Sequence, residues 1–176
     1  MKRINISPTD LSKFFWNKIL ENSFIKSEIY KKDFFSKIDS LEKLRLESEY
    51  NTGSISSTSS WLLYSLVIFF KPKTIIEIGS FIGKSTISMA LGADDYIDEH
   101  KCEIFCCDMS NDIKLPQLSK TKITQFNKTK SIDMLKNLDG NMSFDLVHVD
   151  GRLENEDFEI LKRNINERTV FVLDDF

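Results

Sequence analysis

From Lys73 onward the sequence alternates between short apolar runs and stretches with helical spacing, and that alternation leaves the chain very few folds. The runs fall at Thr74–Ile78, Glu103–Cys107, Lys122–Phe126, Phe144–Val149 and Thr169–Leu173. Between them lie helical segments at Lys84–Leu91, Ser131–Leu138 and Leu153–Ile165. Ile75-Ile76 and Phe171-Val172-Leu173 show no polar alternation, so these strands require apolar neighbours on both faces, as in a parallel sheet covered by helices. The predicted class is therefore α/β, with a doubly wound, mainly parallel sheet. Ligands of such sheets bind beyond the carboxyl ends of the strands, so each strand's last residues are where chemistry is to be sought.

Residues 1–50 form an N-terminal helical segment, and residues 51–176 the core. Ser7-Pro8-Thr9-Asp10 opens a helix: Ser7 caps, Pro8 suits the first helical position and Asp10 the first turn. Leu11, Phe14, Phe15 and Ile19 make one apolar stripe, and Phe34, Ile38, Leu41 and Leu44 a second. Both are packing surface, with a lid or a homodimer contact as further roles. The serine-rich stretch Asn51–Ser60 reads as a loop capping a core helix that begins near Trp61.

A length of 176 residues is about one domain's worth, and 24 basic against 27 acidic residues leave a net charge of −3. That balance advertises neither nucleic acid nor an anionic membrane as partner, so a small-molecule ligand is expected. The longest apolar run, Trp61–Phe70, falls well short of the ~20 residues that cross a bilayer. Met1-Lys2-Arg3 has no apolar stretch behind it, and Cys102, Cys106 and Cys107 are too closely spaced to staple a secreted fold. A cytoplasmic setting is the expectation. Cys106 and Cys107 point to opposite faces of one strand, which makes them core residues rather than metal ligands.

The first strand runs into Glu77-Ile78-Gly79-Ser80-Phe81-Ile82-Gly83-Lys84-Ser85, where two glycines allow a tight turn and a close approach of backbone to ligand. Gly83-Lys84-Ser85 matches the end of a phosphate-binding P-loop, but only three residues separate the glycines where four are needed. A dinucleotide fingerprint needs glycine where Phe81 stands. Neither pattern explains Glu77, which can accept hydrogen bonds from a ligand's ammonium or ribose hydroxyls.

Glu77 to Thr86 resembles the first motif of class I S-adenosylmethionine-dependent methyltransferases, in the form found among catechol and caffeoyl-CoA type O-methyltransferases. Asp108, closing Phe105-Cys106-Cys107-Asp108, is similar to the acid that holds the cofactor ribose in that family, and Ser131 to the serine near the adenine. Phe144–Gly151 resembles the fourth-strand motif of the branch containing cephalosporin hydroxylases, and Thr169–Asp175 the fifth-strand motif. The resemblance covers roughly residues 51–176. It implies a Rossmann-like core and S-adenosylmethionine as cofactor, bound by Glu77, Gly79, Ser80, Gly83, Ser85, Asp108 and Ser131. It further implies a divalent cation such as Mg²⁺ on Asp150, Asp174 and Asp175, with Asp150 as catalytic carboxylate and a small hydroxylated molecule as methyl acceptor. Three hard oxygen donors suit Mg²⁺, which can take a substrate hydroxyl and lower its pKa.

Two departures stand out. Relatives of this branch carry a histidine shortly after the aspartate-glycine, whereas Gly151 is followed by Arg152-Leu153-Glu154. The lysine base of the catechol type also has no counterpart, so the sequence names no general base, although His148 and Arg152 are nearby. The family's sheet ends in an antiparallel hairpin beside the fifth strand, and the sequence stops at Phe176, so the expected sheet lacks the usual last two strands. The expectation is a piece of a longer protein, or an edge covered by another subunit. Two other functions stay open: a P-loop-like nucleotide hydrolase, and a non-catalytic scaffold that keeps the methyltransferase fold.

Overall fold

The computed structural model describes residues 6–19, 24–47, 54–95, 101–109, 114–140 and 142–174. Three N-terminal helices, α1 (Pro8–Ile19), α2 (Phe24–Ile38) and α3 (Glu42–Glu47), precede α4 (Ser57–Phe70). Strands and helices then alternate: β1 (Thr74–Ile78), α5 (Lys84–Asp95), β2 (Glu103–Asp108), β3 (Lys122–Asn127), α6 (Ser131–Leu138), β4 (Leu146–Val149), α7 (Asn155–Asn164) and β5 (Val170–Leu173). The strands form one sheet in the order β3-β2-β1-β4-β5, and every pairing is parallel. This is the predicted Rossmann-like doubly wound fold, with five strands among the described residues.

Alternation along each strand divides the core into two layers. Ile75, Ile104 and Leu146 face Leu63, Val67, Met89 and Ala90 of α4 and α5. Ile76, Phe105, Val147 and Val149 face Met134, Leu135, Ile160 and Leu161 of α6 and α7. α4 and α5 approach so closely that a Cβ at Gly92 would stand 2.7 Å from the Tyr64 carbonyl. Ser56 caps α4, its Oγ accepting the Ser59 N–H at 3.0 Å, so that helix starts four residues before Trp61, inside the serine-rich stretch.

A third cluster joins the N-terminal helices to this layer. Phe34, Ile38 and Leu41 are buried as the sequence predicts, against Trp61, Tyr64, Ile87 and Leu91. The α1 face is rotated from its predicted stripe. Phe14 is 52% exposed, while Trp16 is buried, stacks on Trp61 with ring centroids 5.3 Å apart, and donates its indole N–H to Ser65 Oγ at 2.8 Å. An indole that fills a hole and finds a polar partner outweighs a phenylalanine with no partner. Of Ile19 only the backbone is described.

β5 pairs with β4 on one side, and Phe171 and Leu173 are exposed while Val170 and Val172 pack on the core. No described helix is long and apolar enough to cross a membrane.

Candidate functional site

The loop after β1 is shaped by contacts that only some residues permit. Gly79 has φ +91°, and a Cβ there would lie 2.1 Å from the Asp150 carbonyl oxygen, because the ends of β1 and β4 are pressed together by the Asp150 N–H bond to Ile78 O at 2.8 Å. Gly79 and Ser80 both donate backbone N–H groups to Cys107 O, at 3.0 and 3.1 Å, which fixes the loop to the end of β2. Phe81 takes φ +44°, unusual for a residue with a Cβ. Its N–H donates to Asp108 Oδ2 at 2.7 Å, a charge-assisted bond that offsets the strain. Gly83, at φ +78°, closes the turn through its N–H to Ser80 O and leads into α5.

Glu77 lies below this loop with no solvent exposure. The β1 register places it between Cys106 of β2 and His148 of β4, all on the face covered by α5. Its carboxylate accepts from Thr86 Oγ1 of α5 and meets His148 Nδ1 at 3.1 Å, so one buried acid braces three elements. Burial alone would depress the His148 pKa, but the hydrogen bond to Glu77 and the charges of Glu77, Asp150 and Asp174 outweigh it and raise the value. Burial pushes the Cys107 thiol up to about 12 and the Cys106 thiol higher, the Glu77 charge adding to the latter.

A cleft of about 360 Å³ opens over the carboxyl ends of β1, β2 and β4, where the strand order reverses. Ile78, Gly79, Cys107, Asp108 and Met109 form one wall, residues 129–132 a second, and Asp150, Gly151, Arg152 and Glu154 a third. Thr129 N–H donates to Asp108 O at 3.1 Å and so carries the chain from the first wall to the second. The N-termini of α6 and α7 converge beneath it. Asp157, fully buried on α7, accepts through Oδ2 from Ser131 Oγ at 2.9 Å and from Glu154 N–H at 2.8 Å.

Of the residues singled out in the sequence, Gly79, Asp108, Ser131 and Asp150 line the cleft, whereas Glu77, Ser80, Gly83 and Ser85 are not among its lining residues. Glu77, Ser80 and Ser85 are buried. Lys84, read from sequence as a solvated first-turn residue, is buried as well, because the first turn of α5 is covered. Asp174 donates its backbone N–H to Val149 O at 2.9 Å, which sets it beside the end of β4 near Asp150. Asp175 lies outside the described residues, as does His100. Among the described residues no three acidic, histidine or cysteine side chains gather as a metal site. Sequence reasoning passed over Thr86 and Asp157. Asp157 stands three residues after Glu154, and that capping-box spacing signals a helix start but not a contact across to Ser131.

A family model described as a methyltransferase domain matches residues 76–176, more than half of the chain. The chain belongs to the methyltransferase-domain family. No curated protein sequence matches it. Among solved structures, the methyltransferase domain resembles the O-methyltransferase TomG from Streptomyces achromogenes, described as involved in tomaymycin synthesis and in complex with S-adenosylmethionine (SAM). That likeness has 20% identity and a TM-score of 0.63, covering 78% of this chain and 64% of TomG. An O-methyltransferase from Bacillus cereus, in complex with S-adenosylhomocysteine (SAH), matches at 17% identity and TM-score 0.66 over 94% of this chain and 72% of its own. The SAH-bound methyltransferase PaMTH1 of Podospora anserina matches at 16% identity and TM-score 0.61 over 99% and 73%. At these identities the likeness establishes the fold, and the chain spans about two thirds to three quarters of each relative's length.

Proposed function

We propose that the chain is an S-adenosylmethionine-dependent methyltransferase acting on oxygen of a small hydroxylated acceptor, with a divalent cation assisting. The observation that carries this reading is the cleft itself: in a chain of the methyltransferase-domain family it lies at the switch point of the sheet, with Asp108 and Ser131 in its walls. Its volume and mixed lining suit an adenosyl ligand. Asp108 accepts the Phe81 N–H, and a carboxylate at this wall suits ribose hydroxyls, which donate to such oxygens. Glu77, buried beneath the loop, supports it by holding Thr86 and His148 together. When bound, S-adenosylmethionine supplies an electrophilic methyl sulfonium.

Asp150 is the carboxylate best placed to face the acceptor, since it lines the cleft and Asp174 does not. With Asp174 beside it and Asp175 next in sequence it offers hard oxygen ligands, and a cation there would lower the acceptor hydroxyl's pKa. The nucleotide-hydrolase reading gains nothing from the geometry, for Lys84 and Ser85 are buried and do not line the cleft.

Calorimetric titration with SAH, with ATP as comparator, tests the cofactor assignment. Binding at micromolar concentrations, weakened ~10–100-fold in Asp108→Ala, is expected, the loss corresponding to a charged hydrogen bond of about 1.5–3 kcal/mol. Silence toward SAH by the folded chain, or preference for ATP, refutes it. Methyl transfer to a panel of small phenols and sugars, with and without EDTA, tests acceptor class and cation together; transfer indifferent to EDTA removes the cation.

A further inference from the structure

Gly83 closes the glycine loop, and a residue from outside the cleft is seated on it. A Cβ at Gly83 would stand 2.0 Å from Leu115 Cδ2 and 3.1 Å from Leu115 Cγ, so the leucine side chain fills the space that any other residue would need there. Leu115 belongs to the connection between β2 and β3 and is not among the residues lining the cleft. Residues 114–121 of that connection run alongside α5, from the glycine that precedes it to its last turn. Leu115 N–H donates to Gln125 Oε1 of β3 at 3.3 Å, and Leu118 packs with Ile87 and Leu91. The Lys120 and Thr121 N–H groups donate to Asp94 at 2.8 and 2.9 Å. This segment is a strap fastened to the sheet and to α5, with Leu115 at the end that meets the loop.

The loop is fastened differently along its length. Gly79 and Ser80 are bonded to Cys107 O of β2, and Phe81 to the Asp108 carboxylate. At the exit the Gly83 N–H bonds to Ser80 O, inside the loop itself, which gives this end no added hold on the sheet. Phe81, at φ +44°, has commoner conformations to relax into once the loop lifts. We infer that Leu115 is a positioning residue for the cofactor: seated on Gly83, it holds the glycine loop down and keeps Gly79 and Asp108 in the arrangement that the cleft presents to an adenosyl ligand. The inference rests on the cleft being the adenosyl site proposed above. Leu115 acts through the loop and touches no ligand. A loop that lifts for part of the time binds with an affinity reduced by the closed fraction, so removing the seat weakens binding although no ligand contact is lost.

The test is calorimetric titration with SAH of the native chain and its variants, each checked for folding by urea denaturation. Leu115→Ala is expected to bind ~5–20-fold more weakly, and without ligand its Phe81 amide should exchange with solvent faster than in the native chain. Leu118→Ala removes an apolar contact of the same strap farther along α5; it should lose stability yet bind SAH within ~2-fold of native, which separates positioning from support of the fold. Gly83→Ala drives the leucine off its seat and weakens binding as well. In the double variant Gly83→Ala/Leu115→Ala the clash is gone, so the combined loss should be smaller than the product of the two single losses. Should Leu115→Ala fail to fold, Leu115→Val takes its place, with an expected loss of ~3-fold. Native affinity in the folded Leu115 variant, equal losses in the Leu115 and Leu118 variants, or a multiplicative double variant each overturn the inference while leaving the cofactor assignment standing. Absence of SAH binding by the folded native chain refutes the cofactor assignment itself.

Discussion

Replacing Gly79 by alanine probes whether the junction of β1 and β4 is as tight as the geometry says, and Gly140→Ala provides the control. Both glycines have positive φ, +91° and +72°. A Cβ at Gly140 meets nothing within 4 Å, so its replacement costs only the backbone strain, about 1–2 kcal/mol. At Gly79 the same strain is joined by a Cβ 2.1 Å from the Asp150 carbonyl oxygen and 2.7 Å from its carbon, backbone atoms that cannot rotate away. The strand end must retreat by ~0.9 Å to reach even a 3.0 Å separation, and the Asp150 N–H bond to Ile78 O is lost with it, about 1 kcal/mol more. Adding the repacking of a shifted strand end brings the total to about 3–4 kcal/mol, roughly 2 kcal/mol beyond the control. In urea, at a slope of about 2 kcal/mol per molar, the unfolding midpoint of Gly79→Ala should fall ~1 M below that of Gly140→Ala. Midpoints within ~0.3 M of each other would refute the claim that steric closure rather than φ alone requires glycine at Gly79.

Three further outcomes are expected. Trp16→Ala should destabilise by about 3–5 kcal/mol in the same assay, while Trp16→Phe, keeping most of the ring contact with Trp61 but losing the bond to Ser65, should lose only about 1–2 kcal/mol. Cys106 and Cys107, buried and with raised thiol pKa values, should resist iodoacetamide at pH 8 until denaturant is added, as mass spectrometry would report; rapid labelling of the native chain contradicts their placement. Asp139, hydrogen-bonded by Arg163 and Asn164, has its pKa held below the usual carboxylate value. Its contribution to stability is therefore complete above the unfolded value of about 3.9 and disappears as pH falls through the lowered folded value, so Asp139→Asn should separate from the native chain at neutral pH and converge with it in acid.

β1, β2 and β4 were legible because parallel strands buried on both faces leave continuous apolar runs, and all five strands lie within a residue or two of the predicted positions; β5, expected from Phe171-Val172-Leu173 to be covered on both faces, is instead an edge strand with Phe171 and Leu173 exposed. Asp108 and Asp150 were legible as cleft residues because one closes β2 and the other follows β4, and strand ends are where such folds gather ligands. Glu77 was found, but not its surroundings. That it would meet His148 and Thr86 depends on register across β4 and on the first turn of α5, which no local pattern encodes. The burial of Lys84 and the rotation of α1 onto Trp16 were hidden for the same reason: tertiary packing decides which face of a helix is covered, and periodicity alone leaves neighbouring faces nearly equivalent. The Asp157–Ser131 contact joins two helix N-termini 26 residues apart, each of which reads from sequence only as a helix beginning.

The bond from Phe81 N–H to Asp108 ties the shape of the glycine loop to the chemistry of the cleft wall. A ligand gripping the Asp108 carboxylate leans on the same atom group that holds Phe81 in its left-handed conformation, so occupancy of the cleft and opening of the loop draw on one shared free energy. The Phe81 amide proton is thereby a built-in gauge. If only the closed loop binds ligand and exchange requires opening, a ligand present at a hundred times its dissociation constant should slow that proton's exchange with solvent about a hundredfold, and nuclear magnetic resonance could read the state of the site from a single backbone hydrogen.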